Sequence, residues 1–254
     1  MYTEDRYREI EEQFRSSARD FDGDHPNDEM ARTLLITTQE LARIHRAVDQ
    51  EYGNEASERH QYQDVFFTRG LHSLYSLHWL VKRYRYDAAH REVRFLLETY
   101  FCVRGLNRDK DEAAAIYNAY REEVEELGLD ADAREVALHE FDAVDDLFDV
   151  WRDERGRAKE VWPEVRQYYN YVSNRSTHPV RLYGAWDDGS WSEGLEEELL
   201  TWGLYLSYGL CKELLKTYND TSAGPFIKRE SQQVVARFDE VLGKDVPTFL
   251  LESY

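Results

Sequence analysis

The chain has 254 residues and a formal net charge of -19, with 51 acidic side chains against 32 lysines and arginines. Hydrophobic residues make up 42% of the sequence and aromatic residues 14%, which is enough for a packed core and excludes an intrinsically disordered chain. The length fits one large helical domain or two small ones. We expect a single helical domain over residues 26–254, preceded by a surface helix or appendage at 1–25.

Apolar residues recur at helical spacing along almost the whole chain, and no alternating strand pattern persists beyond a few residues. A highly charged segment at 4–19 has sparse apolar positions and is predicted as a surface helix. The pattern as a whole predicts an all-α, multi-helix bundle of about eight or nine helices. The later helices are predicted at about 30–48, 58–86, 88–107, 109–127, 132–155, 161–175, 192–219 and 226–242.

Turn and capping residues mark several ends of these helices. Asp87 is predicted as the N-cap of the third of them, because a short carboxylate accepts hydrogen bonds from the free N–H groups of a first helical turn. Pro163 is expected in the first turn of its helix, where a missing N–H is tolerated. Gly224 and Pro225 are expected to separate the last two helices.

One long segment, Ser176–Trp191, lacks helical periodicity and contains proline, glycines and three aromatic residues. Loops of this length in a compact domain are usually functional or disordered. The aromatic side chains of Tyr183, Trp186 and Trp191 favour an ordered loop, and they make the Tyr183–Trp191 stretch a candidate contact surface for a protein partner.

The charge composition indicates adaptation to high salt. Only seven of the basic residues are lysines, and aspartates cluster, as at Asp145 and Asp146. So acidic a surface repels itself in dilute buffer, whereas in molar salt the Debye length is only about 3 Å and the repulsion is screened. We therefore expect a halophilic protein. At such salt the net charge neither favours nor excludes a nucleic-acid partner.

Targeting, membrane and redox signals are weak. The N-terminal residues do not form a basic and then apolar leader, and the most apolar stretch, Leu199–Cys211, is too short and too polar to cross a bilayer. Cys102 and Cys211 lie in apolar surroundings without CxxC spacing, so both are predicted to be buried thiols. We expect a soluble cytoplasmic protein with no membrane contact.

Common catalytic motifs are missing from the sequence, among them the dinucleotide-binding glycine motif, the P-loop and the zinc-protease and serine-hydrolase signatures. No two histidines have the i, i+4 spacing of a helical metal site, and His45 and His60 are predicted to be exposed. The carboxylate runs Glu122–Glu126 and Glu196–Glu198 are interpreted as solvated faces. We therefore expect neither a metal nor another cofactor.

Charged residues interrupt an apolar helix at Arg91, Arg94 and Glu98. Arg94 and Glu98 are four residues apart and lie beside the apolar stripe, so the pair is expected to be half-buried, with Arg91 one turn earlier on the same side. One interpretation is an ordinary salt bridge at the flank of a helix. The other is an arginine that Glu98 holds toward an anionic group such as a phosphate.

A second polar cluster ends the tyrosine-rich helix before the long loop. Tyr171, Asn174, Arg175 and His178 follow one another there, and Arg175 and His178 share a face if the helix continues. Arginine supplies fixed donors for a phosphate, and histidine exchanges a proton near neutral pH, which suits ribonuclease chemistry with the 2′-hydroxyl as nucleophile. The alternative is a polar helix C-cap in which His178 bonds a backbone carbonyl.

Together, Arg-Phe-Leu-Leu-Glu-Thr-Tyr at 94–100 and the later segment from Tyr169 to Pro179 resemble HEPN-like helical families over about residues 60–220. This resemblance implies a nucleotide-binding helical bundle, a homodimer, and relatives among ribonucleases and toxin–antitoxin or defence components. Active HEPN ribonucleases place four to six residues between an arginine and a histidine, whereas only two separate Arg175 from His178.

Two functions follow as hypotheses. The first is a HEPN-like protein that binds or cleaves RNA or a nucleotide without a metal. His178 would then be the acid or base, with Arg175 and Arg94 as phosphate contacts and Glu98 orienting Arg94. The second is a non-enzymatic helical scaffold or interaction protein that uses the Tyr183–Trp191 loop. The first requires both charged segments to converge on one point.

Overall fold

The computed structural model describes residues 27–52, 60–82, 86–127, 141–176 and 193–242. These residues form helices and no strand, so the prediction of an all-α bundle is confirmed. The expected helix at 4–19 and nearly all of the loop from Ser176 to Trp191 lie outside them. The eight described helices are α1 (Asp28–Tyr52), α2 (Gln61–Lys82), α3 (Tyr86–Arg108), α4 (Lys110–Glu126), α5 (Asp142–Val161), α6 (Pro163–Ser176), α7 (Glu193–Tyr218) and α8 (Gly224–Leu242).

Two helices, α3 and α7, form the centre of the bundle. Helix α7 packs against α1, α2, α3 and α8, while α3 packs against α2, α4, α5, α6 and α7. Helix α7 is central because leucines occur around most of its circumference, and a helix that is apolar on all sides must be buried on all sides. Its fully buried leucines are Leu199, Leu200, Leu204, Leu206 and Leu210.

Glycines let the central helices approach one another closely. A Cβ atom added to Gly203 of α7 would lie 2.8 Å from a methyl carbon of Leu77 and 3.0 Å from one of Leu34. A Cβ atom at Gly70 of α2 would lie 2.8 Å from a methyl carbon of Leu210. A larger residue at either position would require these leucine side chains to shift, so the glycines favour the close packing of α1, α2 and α7.

Capping explains where α4 and α5 begin. The carboxylate of Asp109 accepts hydrogen bonds from the backbone N–H groups of Asp111 and Glu112 at 3.1 and 2.9 Å. The first N–H groups of α5, at Asp142 and Ala143, donate instead to Glu123 of α4 at 2.8 and 3.0 Å. A tertiary contact thus supplies the cap for α5, which no local signal in the sequence indicates.

Several predicted boundaries are wrong. Helix α3 begins at Tyr86, so Asp87 lies inside the first turn and is not the N-cap. The helix predicted to end at Arg155 continues to Val161, because the chain breaks only at Trp162, before Pro163 opens α6. The position of Pro163 in a first turn is confirmed.

Three polar side chains are more buried than their sequence context predicted. His60 is only 3% exposed and packs beside the ring of Tyr218, and the ring of His45 is close to that of Phe67. Glu196 is buried and accepts a hydrogen bond from the hydroxyl of Tyr86 at 3.0 Å. For Glu196, this hydrogen bond offsets part of the cost of removing the carboxylate from water.

An ion-pair cluster joins α3 to α5 within the core. Arg104 is 0% exposed and Glu154 is 1% exposed, and Arg104 Nε donates to Glu154 Oε1 at 2.6 Å. Arg108 Nε donates to the other carboxylate oxygen at 2.6 Å, and Arg104 also donates to the hydroxyl of Tyr100 at 3.1 Å. This carboxylate is therefore bound by two guanidinium groups, so its burial is compensated only while both helices keep this arrangement.

A neighbouring polar cluster joins α3 to α7. Asn107 donates to the carboxylate of Glu213 at 3.0 Å and to its backbone carbonyl at 3.1 Å, while Thr217 donates to the side-chain oxygen of Asn107 at 3.1 Å. Lys216 pairs with the other oxygen of Glu213 at 2.9 Å. These bonds satisfy polar groups that would otherwise be costly to bury.

Both cysteines are buried, as predicted, and burial raises the pKa of each thiol to about 12. Thiols in this state are poor nucleophiles at neutral pH. Among the helices that the structure describes, none is long and apolar enough to cross a membrane.

We expect Glu154→Gln to lower the free energy of unfolding by about 3–5 kcal/mol, because it removes the buried carboxylate that accepts from both Arg104 and Arg108. Denaturant unfolding followed by circular dichroism measures this change. Asp153→Asn, a charge-neutralising change at the exposed neighbouring position, is expected to alter stability by less than about 0.5 kcal/mol. Equal effects of the two substitutions would show that the buried ion pair is not a main contributor to stability.

A second prediction concerns pH. Burial, helped by the charge of Lys82, lowers the pKa of His78 to about 4. In the unfolded chain His78 becomes protonated near pH 6.5, whereas in the folded chain it stays neutral until about pH 4. The free energy of unfolding therefore decreases as the pH falls from about 6.5 toward 4. Between pH 7 and pH 4.5 this histidine should account for about 2 kcal/mol of lost stability. In His78→Gln the loss over the same pH range should be smaller by that amount; an unchanged pH dependence would contradict the assignment.

Candidate anion-binding site

The predicted pair on α3 has the expected geometry. Arg94 Nε donates to Glu98 Oε1 at 3.0 Å, and the two side chains are 28% and 30% exposed. Arg91, one turn earlier, is exposed. Arg94 therefore has a fixed orientation but keeps part of its guanidinium accessible, as a contact for an external anion requires.

Helix α6 brings Tyr169 to the same pair. Tyr169 donates its hydroxyl hydrogen to Glu98 Oε1 at 2.9 Å, and the guanidinium carbon of Arg94 lies 5.6 Å from the centre of the Tyr169 ring. Tyr169, far from Arg94 and Glu98 in sequence, thus contacts both of them. The nucleic-acid hypothesis requires Arg175 and His178 to approach the same point, and because the side chain of Arg175 and all of His178 lie outside the described part of the structure, that convergence stays a prediction.

Buried aromatic residues fix α6 in this position. Tyr168 stacks on Trp202 of α7 with ring centres 4.5 Å apart, and its hydroxyl lies 2.9 Å from Nδ1 of His90 on α3. Because Tyr168 is held between α3 and α7, the next residue, Tyr169, is directed to the edge of α3 where Glu98 lies.

The remaining predicted residues belong to the end of α6 and beyond it. Tyr171, Asn174 and Arg175 are part of the helix, but their side chains lie outside the described part of the structure. His178 and the Tyr183–Trp191 loop also lie outside it. Their roles stay predictions.

Two cations on α5, which the sequence analysis did not select, complete the site. The ammonium nitrogen of Lys159 lies 4.6 Å from the centre of the Tyr169 ring. The guanidinium of Arg155 lies 4.2 Å from the ring centre of Trp151 and 5.8 Å from that of Tyr169. Trp151, Arg155 and Lys159 are spaced i, i+4, i+8, which places them on one side of a helix. This spacing is the feature of the sequence that could have indicated these two cations as part of the site.

Like charges are crowded at this site. Burial lowers the pKa of Lys159, and the positive charges of Arg155 and Arg166 lower it further. Burial and the nearby carboxylate of Glu98 raise the pKa of Tyr169, so its hydroxyl stays protonated and donates to Glu98 at neutral pH. Within the described ranges no carboxylate forms an ion pair with Arg155, Lys159 or Arg166.

A cavity of about 640 Å³ opens beside these cations where α5 turns into α6. It is shallow and open to solvent, because five of the six residues that line it are exposed. The residues that line it are Gly156, Lys159, Glu160, Pro163, Arg166 and Asn170. We call Arg94, Arg155, Lys159 and Arg166, together with this cavity, the cationic face.

Comparison with protein-family models, with curated proteins and with solved structures found no match to this chain.

Tyr169→Phe should lower the free energy of unfolding by about 1 kcal/mol, because the phenol hydrogen bond to Glu98 is lost while the ring is kept. Thermal or denaturant unfolding measures the effect. Tyr120→Phe on α4 is a control, since no hydrogen bond of its hydroxyl is found among the described contacts and its ring packs on Phe141. If Tyr169→Phe were as stable as the wild-type protein, the contact with Glu98 would not be what fixes α6 against α3.

Proposed function

We propose that the cationic face binds the phosphate groups of RNA or of a nucleotide. The observation that carries this proposal is the crowding of Arg155, Lys159 and Arg166 without carboxylate partners among the described residues of a chain with 51 acidic and 32 basic side chains. In so acidic a protein, cations are expected to be neutralised by neighbouring carboxylates. An anion from outside the chain is the simplest group to complete this site.

Several cations elsewhere in the structure pair with carboxylates. Arg43 pairs with Glu40 and Glu230, and Arg121 pairs with Glu125. At the cationic face, the aromatic rings of Trp151 and Tyr169 hold the cations instead. Rings keep a cation in place by attraction to their electron-rich faces, and they leave its hydrogen-bond donors available for a ligand.

Phosphate suits these donors better than other anions do. Arginine presents a planar fork of N–H groups that matches two phosphate oxygens, and lysine adds a compact charge. Glu98 and Tyr169 hold Arg94 in a fixed orientation, so less conformational entropy is lost when the guanidinium binds. Since Tyr169 is itself buried, its role is to position cations, and it is not a platform for a base.

The end of α6 supports an extension of this proposal to RNA cleavage by transesterification. Arg175 is on the last turn of the same helix that carries Tyr169 and Arg166, and His178 follows it in the sequence. In the proposed step, His178 removes the proton of a ribose 2′-hydroxyl, whose oxygen attacks the adjacent phosphorus. The bond to the 5′-oxygen breaks, this oxygen takes up a proton, and a cyclic phosphate and a 5′-hydroxyl remain. Arg94 and Arg175 would contact the phosphate.

In this proposal the protein is a HEPN-like, RNA-directed component of a defence or toxin–antitoxin system in a halophile, acting as a homodimer. The resemblance of the segments at 94–100 and 169–179 supports the family, and the contact between Tyr169 and Glu98 supports their joint role. The lysine-poor, acidic composition supports the halophilic setting.

The double variant Arg155→Gln/Lys159→Gln should weaken binding of a single-stranded RNA at least about tenfold, because two charge-assisted phosphate contacts are lost. The salt dependence of binding should also fall, with a slope of log K against log[KCl] smaller in magnitude by about 1 to 1.5. Fluorescence anisotropy between about 0.2 and 2 M KCl measures both quantities, with folding checked by circular dichroism.

A matched control is Arg121→Gln/Arg237→Gln, which changes the net charge equally at two exposed positions on other helices. Both quantities should stay near wild type in this control. If the two double variants lost affinity equally, binding would reflect only overall charge. If the folded wild-type protein bound no RNA and no nucleotide at any salt concentration, the proposal would be wrong.

Cleavage is tested separately with labelled RNA in about 2–3 M KCl and without added metal, conditions chosen to keep the chain folded. We expect wild-type protein to cleave, and His178→Ala to bind RNA normally but not cleave it. Binding without cleavage by the wild type, over a broad panel of RNAs, would restrict the function to recognition.

A further inference from the structure

Gly156 occupies the interior of α5, and its surroundings give no packing reason for glycine. A Cβ atom added there would meet no atom within 4 Å. Glycine inside a helix costs about 0.5–1 kcal/mol relative to alanine, because the unfolded chain is more flexible. A larger side chain at this position would therefore be expected to stabilise α5.

Other helical glycines in the structure are different. A Cβ atom at Gly105 would lie 2.6 Å from a methyl carbon of Val150, and those at Gly70 and Gly203 would each lie 2.8 Å from a leucine methyl. These three allow helices to pack closely. Gly156 instead lines the cavity beside Lys159 and Arg166, so its small size keeps the cavity open.

The charges around the cavity favour an anion with more than one negative charge. Lys159 and Arg166 line it, and Arg155 is close enough to lower the pKa of Lys159. Against these three cations the lining has one carboxylate, Glu160, and the side-chain amide of Asn170 adds a neutral donor. The net positive charge complements a dianion better than a monoanion.

We propose that this cavity is a subsite for a terminal phosphate, a phosphomonoester at the end of an RNA strand or on a mononucleotide. The inference rests on the proposed function and specifies which phosphate the cationic face selects. A phosphomonoester carries about 1.5–2 negative charges at neutral pH, whereas each internal phosphodiester carries about one. The space beside Gly156 admits the terminal group and the sugar attached to it.

The test uses one short RNA sequence with an internal fluorescent label, prepared with a 5′-phosphate, with a 3′-phosphate or with hydroxyls at both ends. Wild-type protein should bind one of the phosphorylated forms at least about tenfold more tightly than the hydroxyl form, and the comparison identifies which end is recognised. Gly156→Leu, which places a side chain in the cavity, should remove this preference.

Two controls separate filling of the cavity from other effects. Gly156→Ala adds only a methyl group, so it should keep the preference and raise the thermal stability of the protein. Phe148→Leu changes an exposed apolar residue of α5 that does not line the cavity, and it should leave the preference unchanged. Circular dichroism verifies that each variant is folded.

Each outcome supports or overturns the inference. Equal binding of all three RNAs by the wild type would overturn the terminal-phosphate subsite and leave the proposed RNA function standing. A preference that survives in folded Gly156→Leu would place recognition of the end elsewhere. Failure of every RNA to bind would remove the proposed function and this inference together.

Discussion

The orientation of α5 depends on the buried carboxylate of Glu154. It accepts from Arg104 and Arg108 of α3, each at 2.6 Å, and is almost completely excluded from water. An unpaired charge in this position would be prohibitive, so α5 has to present this residue to α3. The rotation of α5 is thereby set, and with it the direction of Arg155 and Lys159, which reach the ring of Tyr169.

Charged side chains have different partners in the core and at the cationic face. Inside the bundle, two buried carboxylates meet opposite charges: Glu154 meets arginines, and Glu213 meets Lys216. At the cationic face, Arg155 and Lys159 contact the rings of Trp151 and Tyr169. Burial and the neighbouring charges of Arg155 and Arg166 lower the pKa of Lys159. Crowding of like charges lowers stability, as does a glycine without a packing reason. Local costs that bring no structural gain are expected at functional sites.

Helix α3 connects the core to this face. One of its sides carries Arg104 and Asn107 into buried contacts with α5 and α7, and another carries Arg94 and Glu98 to the edge that α6 covers. Because both sides belong to one continuous helix, the ion pairs of the core and the orientation of Arg94 cannot change independently. The precise placement of donors that phosphate recognition needs thus derives from the packing of the bundle.

The sequence alone determined the helical class, most helix positions, the first turn at Pro163, the buried cysteines and the half-buried pair of Arg94 and Glu98. Those features depend on local periodicity, on a fixed proline φ angle and on i, i+4 neighbours within one helix. Only the tertiary structure decided that Glu123 caps α5, that Glu154 is buried, and that the cations of α5 meet Tyr169. These contacts join residues that are distant in sequence. In a chain with 51 acidic residues, no feature of the local sequence distinguishes the few that are buried from the many that are exposed.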